Sequence, residues 1–223
     1  MITMRVTQKS KDNEERASFD AKGIFQRLKS ASPPDRRSAV EDLSRDPRAK
    51  DRENAMGLIK EVTVRGSDGL AEIREIMELT TEPTLGIAAL DVLEKICKAR
   101  QYWNELTFLG DVFPLVEAGG AASHAVDETV AMEGLKRLID RRYLCVRSQI
   151  GCPPSDEAER KLQRIALRGR HLSVALEALG NMRLYDDTWK ADLRELELHS
   201  IHPEIREKAR ALMDSRAKEN AGG

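Results

Sequence analysis

A chain of 223 residues with 37 Lys and Arg against 38 Asp and Glu carries no global charge excess that would draw it to nucleic acid or a membrane surface. Aromatic residues make up 4% and charged residues 34%, which is poor in the rings that strands favour and rich in good helix formers. Hydrophobic residues at 40% suffice for a core, and no apolar run reaches the ~18–20 residues of a membrane span.

Residues 1–18 read as a flexible polar arm without an apolar segment of signal-peptide length, in which Ile2, Met4 and Val6 alternate as a short strand would. From 19 to 216 the pattern predicts one helical domain, and 217–223 a flexible tail. The predicted helices span 20–29, 34–45, 48–64, 68–79, 83–100, 103–117, 124–145, 155–168, 171–183, 188–198 and 203–216. Pro83, Pro154 and Pro203 sit in first turns, where a missing N–H costs nothing. Ser67, Ser123 and Asp187 are candidate N-caps, and Asp156 with Glu159 has capping-box spacing. Gly66, Gly119-Gly120, Gly151 and Gly169 mark breaks, the glycine pair reading as a hinge between repeats.

A small residue followed four places later by a bulky aliphatic one recurs as Ala55/Ile59, Ala89/Leu93, Ala131/Leu135, Ala175/Leu179 and Ala209/Met213. The alanines are 34, 42, 44 and 34 residues apart, the range of two-helix repeats. Residues four apart share a helix face, so each pair offers a flat spot beside a knob for stacking on the next repeat.

The segments SVALEALG and HPEIREKARALM resemble the first helix of a HEAT-type repeat, with Pro203 and Arg206 where that family favours them. TWKADLRELEL resembles the second helix. The resemblance is clearest over 171–216 and degenerate over 34–168, where the Pro/Arg pair is mostly missing. It implies an all-α fold, a right-handed α-solenoid of about five HEAT-like helical hairpins, and a macromolecule-binding role without a cofactor.

Little in the chain points to catalysis or a metal. His199 and His202 have a ligand-like spacing, but they straddle the turn before Pro203 with no third ligand beside them, so capping or surface roles are expected for them and for His124 and His171. Cys97, Cys145 and Cys152 form no CxxC pair, which predicts reduced thiols and a cytoplasmic protein. Phosphate loops, H-E-x-x-H and G-x-S-x-G do not occur. Trp103 and Trp189, with Tyr102 and Tyr185 nearby, are expected to pack half-buried across repeat junctions. The stretches IAALDVLEK and TFLGDVF are similar to segments of DNA glycosylases that are built from HEAT-like repeats and remove alkylated purines. That likeness implies Asp111 and Trp103 as residues to test, against an acidic middle and only two tryptophans.

Charge placement says more. Residues 64–135 hold thirteen acids against five bases, a local net of −8, and residues 136–170 hold ten bases against four acids, +6. Lys136, Arg137, Arg141, Arg142, Arg147, Arg160, Lys161, Arg164, Arg168 and Arg170 are the candidate partner contacts. Helical spacing lines up Arg137/Arg141 and Lys161/Arg164/Arg168, faces that could merge into a basic stripe. The expected function is a non-enzymatic scaffold or adaptor gripping a protein partner, acidic or a second copy of the chain. Three other readings of the stripe stay open. It could be a solvated face that neutralises the acidic repeats, it could bind nucleic acid, or it could serve the glycosylase-like activity. No membrane partner or small-molecule substrate is expected.

Overall fold

The computed structural model describes residues 19–63, 69–103, 112–147, 153–183 and 189–221, with side chains described outside 97–103, 112–115, 141–147, 153–156 and 219–221. The alternation at Ile2, Met4 and Val6, the caps Ser67 and Asp187, the breaks Gly66 and Gly151, and the cysteine side chains lie outside that set.

Among the described residues there are eleven α-helices and no strand. They are α1 (Ala21–Leu28), α2 (Pro33–Arg45), α3 (Arg52–Thr63), α4 (Leu70–Leu79), α5 (Pro83–Trp103), α6 (Val112–His124), α7 (Glu128–Arg147), α8 (Pro153–Arg168), α9 (Leu172–Asn181), α10 (Trp189–His199) and α11 (Pro203–Ala221). A 3-10 turn, Pro47–Lys50, joins α2 to α3.

Helices pack in two layers. The even-numbered helices touch one another in the order α2, α4, α6, α8, α10, the odd-numbered ones from α1 to α11 likewise, and the core lies between the layers. This arrangement is that of a helical repeat, in which no hairpin buries its apolar face without its neighbours. The five alanine/aliphatic pairs fall one to each odd helix from α3 to α11. Ala55, Ala89, Ala131, Ala175 and Ala209 are fully buried, and so are Ile59, Leu93 and Leu135.

Turns from even to odd helices align along one edge and are tied together. The backbone N–H of Val126 donates to Glu78 O (2.8 Å), that of Arg170 to Ser123 O (3.1 Å) and that of Ile201 to Leu167 O (3.0 Å). Each acceptor sits in the last turn of an even helix, where carbonyls have no partner within their own helix. Side chains add rungs. A carbonyl can only accept, so His171 Nε2 donates to Ala125 O (2.9 Å) and His202 Nε2 to Gly169 O (2.7 Å). Buried Ser200 donates to Ala166 O (3.0 Å), and buried Thr80 shares a hydrogen bond with Ser44 (3.0 Å).

Arg206 reaches back six residues from the start of α11 to Ser200 O (3.0 Å), and Arg36 makes the same bond from α2 to Ser30 O (2.9 Å). The Pro-x-x-Arg start therefore recurs at 33–36, but on an even helix and outside the repeat phase.

Several local expectations are corrected. Gly119-Gly120 is no hinge but lies within α6, because that helix of small residues buries Ala118, Ala121 and Ala122, and tertiary packing outweighs the glycines' poor propensity. Ser123 is no N-cap. It sits in α6 and donates to Gly119 O (2.8 Å), while Asp127 caps α7 by accepting from Thr129 N (2.9 Å) and Val130 N (3.1 Å). Because α8 starts at Pro153, Asp156 falls within its first turns rather than at its cap, and Glu159 instead accepts from the Arg183 N–H, just after α9. At the C-terminus α11 continues to Ala221, past the predicted end at 216.

Helix backbones approach closely at Gly134 of α7, where a Cβ would lie 2.7 Å from Ala118 O and 2.7 Å from Ala121 Cβ, whereas one at Gly57 in α3 would meet nothing within 4 Å. Gly134→Ala should therefore destabilise the fold by about 1–3 kcal/mol. Gly57→Ala should stabilise it by about 0.5–1 kcal/mol, both read by thermal unfolding.

Candidate functional site

Among the described residues, Glu75, Glu82, Asp91, Glu94 and Glu117 of the −8 stretch are held by bases from other repeats. In the odd layer Asp91 of α5 accepts from Arg52 Nε of α3 (2.6 Å) and lies 3.0 Å from Arg137 Nη2 of α7. Arg137 also meets Glu94 (3.4 Å) and, one turn back, Glu133 (2.8 Å). Its side chain is only 13% exposed. Burial works against the Asp91 charge, but the Arg52 hydrogen bonds and the Arg137 charge prevail and hold its pKa below the usual carboxylate value. Burial likewise opposes the Arg137 charge, and Glu133, Glu94 and Asp91 outweigh it.

The even layer carries a parallel ladder. Arg36 meets Glu75 (3.1 Å), Arg74 grips the buried Glu117 (Nε to Oε2, 2.8 Å), and Gln163 of α8 donates to Glu195 of α10 (2.7 Å). At the turn edge Lys50 pairs with Glu82. Glu78 of α4 has no such bond among the described residues, and burial raises its pKa, with His124 opposing and Glu75 adding to the rise.

The structure therefore separates the ten predicted contact residues. Arg137 is turned into the odd-layer network, Arg160 and Lys161 pair with Glu157 (3.1 and 3.5 Å), and the side chains of Arg141, Arg142 and Arg147 lie outside the described residues. Lys136, Arg164, Arg168 and Arg170 are exposed and have no ion-pair partner among the described residues. Arg137 on α7 and Lys161 on α8 belong to different layers, so the two helical rows do not merge into one stripe. The free cations that do run together are Arg164 and Arg168, one turn apart on α8, and Arg170 in the turn that follows.

Arg170 borders a groove of about 580 Å³ at the turn edge, walled by α2 and by Thr81 and Val126 of the two preceding turns. Arg37 of α2 lines the same groove, is exposed, and has no side-chain partner among the described residues. Sequence reasoning missed Arg37, because it lies 133 positions from Arg170 in a segment of balanced charge. The other residues weighed from sequence have plainer roles. His171 and His202 are turn ties, and His199 is exposed at the end of α10. Trp189 packs half-buried against the core with the Arg216 guanidinium 5.0 Å from its ring centre. Asp111 and the Trp103 side chain lie outside the described residues. Among the described residues no group of three or more His, Cys, Asp or Glu could hold a metal, and no helix is long and apolar enough to cross a membrane.

Comparison with protein-family models, with curated proteins and with solved structures returned no match.

Arg137→Ala would leave three carboxylates facing one another and should cost about 3 kcal/mol. Because the Asp91 pKa is lowered on folding, its contribution is present above the unfolded value of about 3.9 and is lost as pH falls through the folded one. The variant's stability should therefore fall less steeply than that of the parent below about pH 4, as urea unfolding across pH would show.

Proposed function

We propose that this protein is a non-enzymatic, macromolecule-binding scaffold, a right-handed α-solenoid of the HEAT type, that grips an acidic protein partner through exposed cations of α7, of α8 and of the turn that follows α8. One observation carries this reading. Asp91, Glu94, Glu117 and Glu133 of the acidic repeats are matched internally, while Arg164, Arg168, Arg170 and Lys136 are exposed and have no ion-pair partner among the described residues. Free cations on a rigid helical support attract and orient an anionic partner at little conformational cost, because the backbone beneath them is already ordered. The same rigidity explains why the ladders matter to binding, since helices fixed in register present those side chains at fixed spacing. A cytoplasmic location fits three sparse cysteines that form no CxxC motif.

The test is capture from native lysate, with nuclease, by the parent and by the Lys136→Glu/Arg164→Glu/Arg168→Glu triple variant. A protein partner that survives nuclease should be lost with the variant, while helical content and melting temperature stay unchanged. Capture that vanishes with nuclease, or that the variant retains, would overturn the reading.

A further inference from the structure

The groove at the turn edge is where the ladder of backbone bonds is interrupted. In the turns 125–127, 169–171 and 200–202 the middle residue donates its N–H to a carbonyl of the preceding repeat. The middle residue of the turn 80–82 is Thr81, and its N–H has no acceptor among the described residues. Here the link to α2 is made by side chains instead, through the Ser44–Thr80 hydrogen bond, and the groove opens beside it. Its floor is aliphatic, from Val40, Leu79 and Val126. Glu41 and Arg45 pair with each other along α2 (3.3 Å), so they add no net charge, and Arg37 and Arg170 supply two guanidinium groups with no side-chain partner among the described residues.

We infer that this groove seats an extended acidic peptide segment of the partner, with one carboxylate on Arg37, another on Arg170, and an aliphatic side chain between them over Val40, Leu79 and Val126. The inference rests on the reading of the protein as a binder of an acidic partner and says which segment chemistry that partner presents. Three features favour a peptide. Guanidinium groups bind carboxylates through paired hydrogen bonds. The free Thr81 N–H suits a peptide carbonyl, in the way an open strand edge does. Among the described residues no aromatic ring lines the groove, so a nucleobase would find no stacking partner. The volume of about 580 Å³ is in the range of sites that enclose a short ligand.

The test uses the full chain and a fluorescein-labelled peptide of leucines flanked by glutamates, with its glutamine counterpart as control and duplex DNA as competitor, read by fluorescence anisotropy. The expected result is saturable binding that salt weakens and that the glutamine peptide does not show. Arg37→Ala and Arg170→Ala should each weaken it by about tenfold or more. Alanine at either position disturbs no ion pair among the described residues, and at 170 it keeps the backbone N–H that donates to Ser123 O. Lys208→Ala, exposed on α11 and outside both the groove and the α8 cations, should change it little. Binding lost with Arg164→Ala but kept with Arg37→Ala would overturn the groove and leave the scaffold reading standing. No peptide binding would likewise overturn it, and the lysate capture then decides the scaffold reading separately. Displacement by DNA that depends on Arg37 would overturn the peptide in favour of a phosphate backbone.

Discussion

Helix ends leave carbonyls that the helix's own hydrogen-bond pattern cannot reach, and at the ends of α4, α6 and α8 the turn of the next repeat meets one of them. Glu78 O, Ser123 O and Leu167 O accept from the turns of the following hairpins, and Ala166 O from the Ser200 hydroxyl. An unpaired carbonyl at a packed helix end costs energy, so the turn of one hairpin has one favourable register against the helix before it. From that constraint follow the alignment of the turns along one edge, the placement of His171 and His202 over carbonyls of the preceding turn, and the row of residues that ends at Arg170.

Charge follows the same geometry. A stretch with a surplus of acids and a stretch with a surplus of bases are not two surfaces in the folded protein. Stacking puts Arg52 and Arg137 on either side of Asp91, from helices before and after it in the chain, so that carboxylate is matched from both directions. Pairs of this kind position helices more than they stabilise them, since desolvation offsets much of the attraction. What remains for a partner is the set that packing leaves unpaired, and it includes Arg37, which no local charge surplus marks.

The repeat was legible because its period lies in residues that the packing itself requires. A small residue where helices touch and a bulky one a turn later are demanded at each odd helix, so Ala55/Ile59 through Ala209/Met213 carry the phase of the fold. Proline starts were legible for a similar reason, since only a first turn tolerates the missing N–H. The candidate site was legible in part. Arg164, Arg168 and Arg170 remain exposed, while Arg137, on the same evidence of spacing, is enclosed by three carboxylates from two helices.

Helix type, number and repeat phase were thus determined by the sequence alone, because periodicity and chain punctuation are local properties that survive without knowledge of neighbours. Only the tertiary structure decided that Gly119-Gly120 is helical, that Ser123 faces back into α6, and which cations stay free. Each of these depends on which backbone or charge a distant repeat brings alongside, and residues 34 to 48 positions away in the chain carry no such information locally.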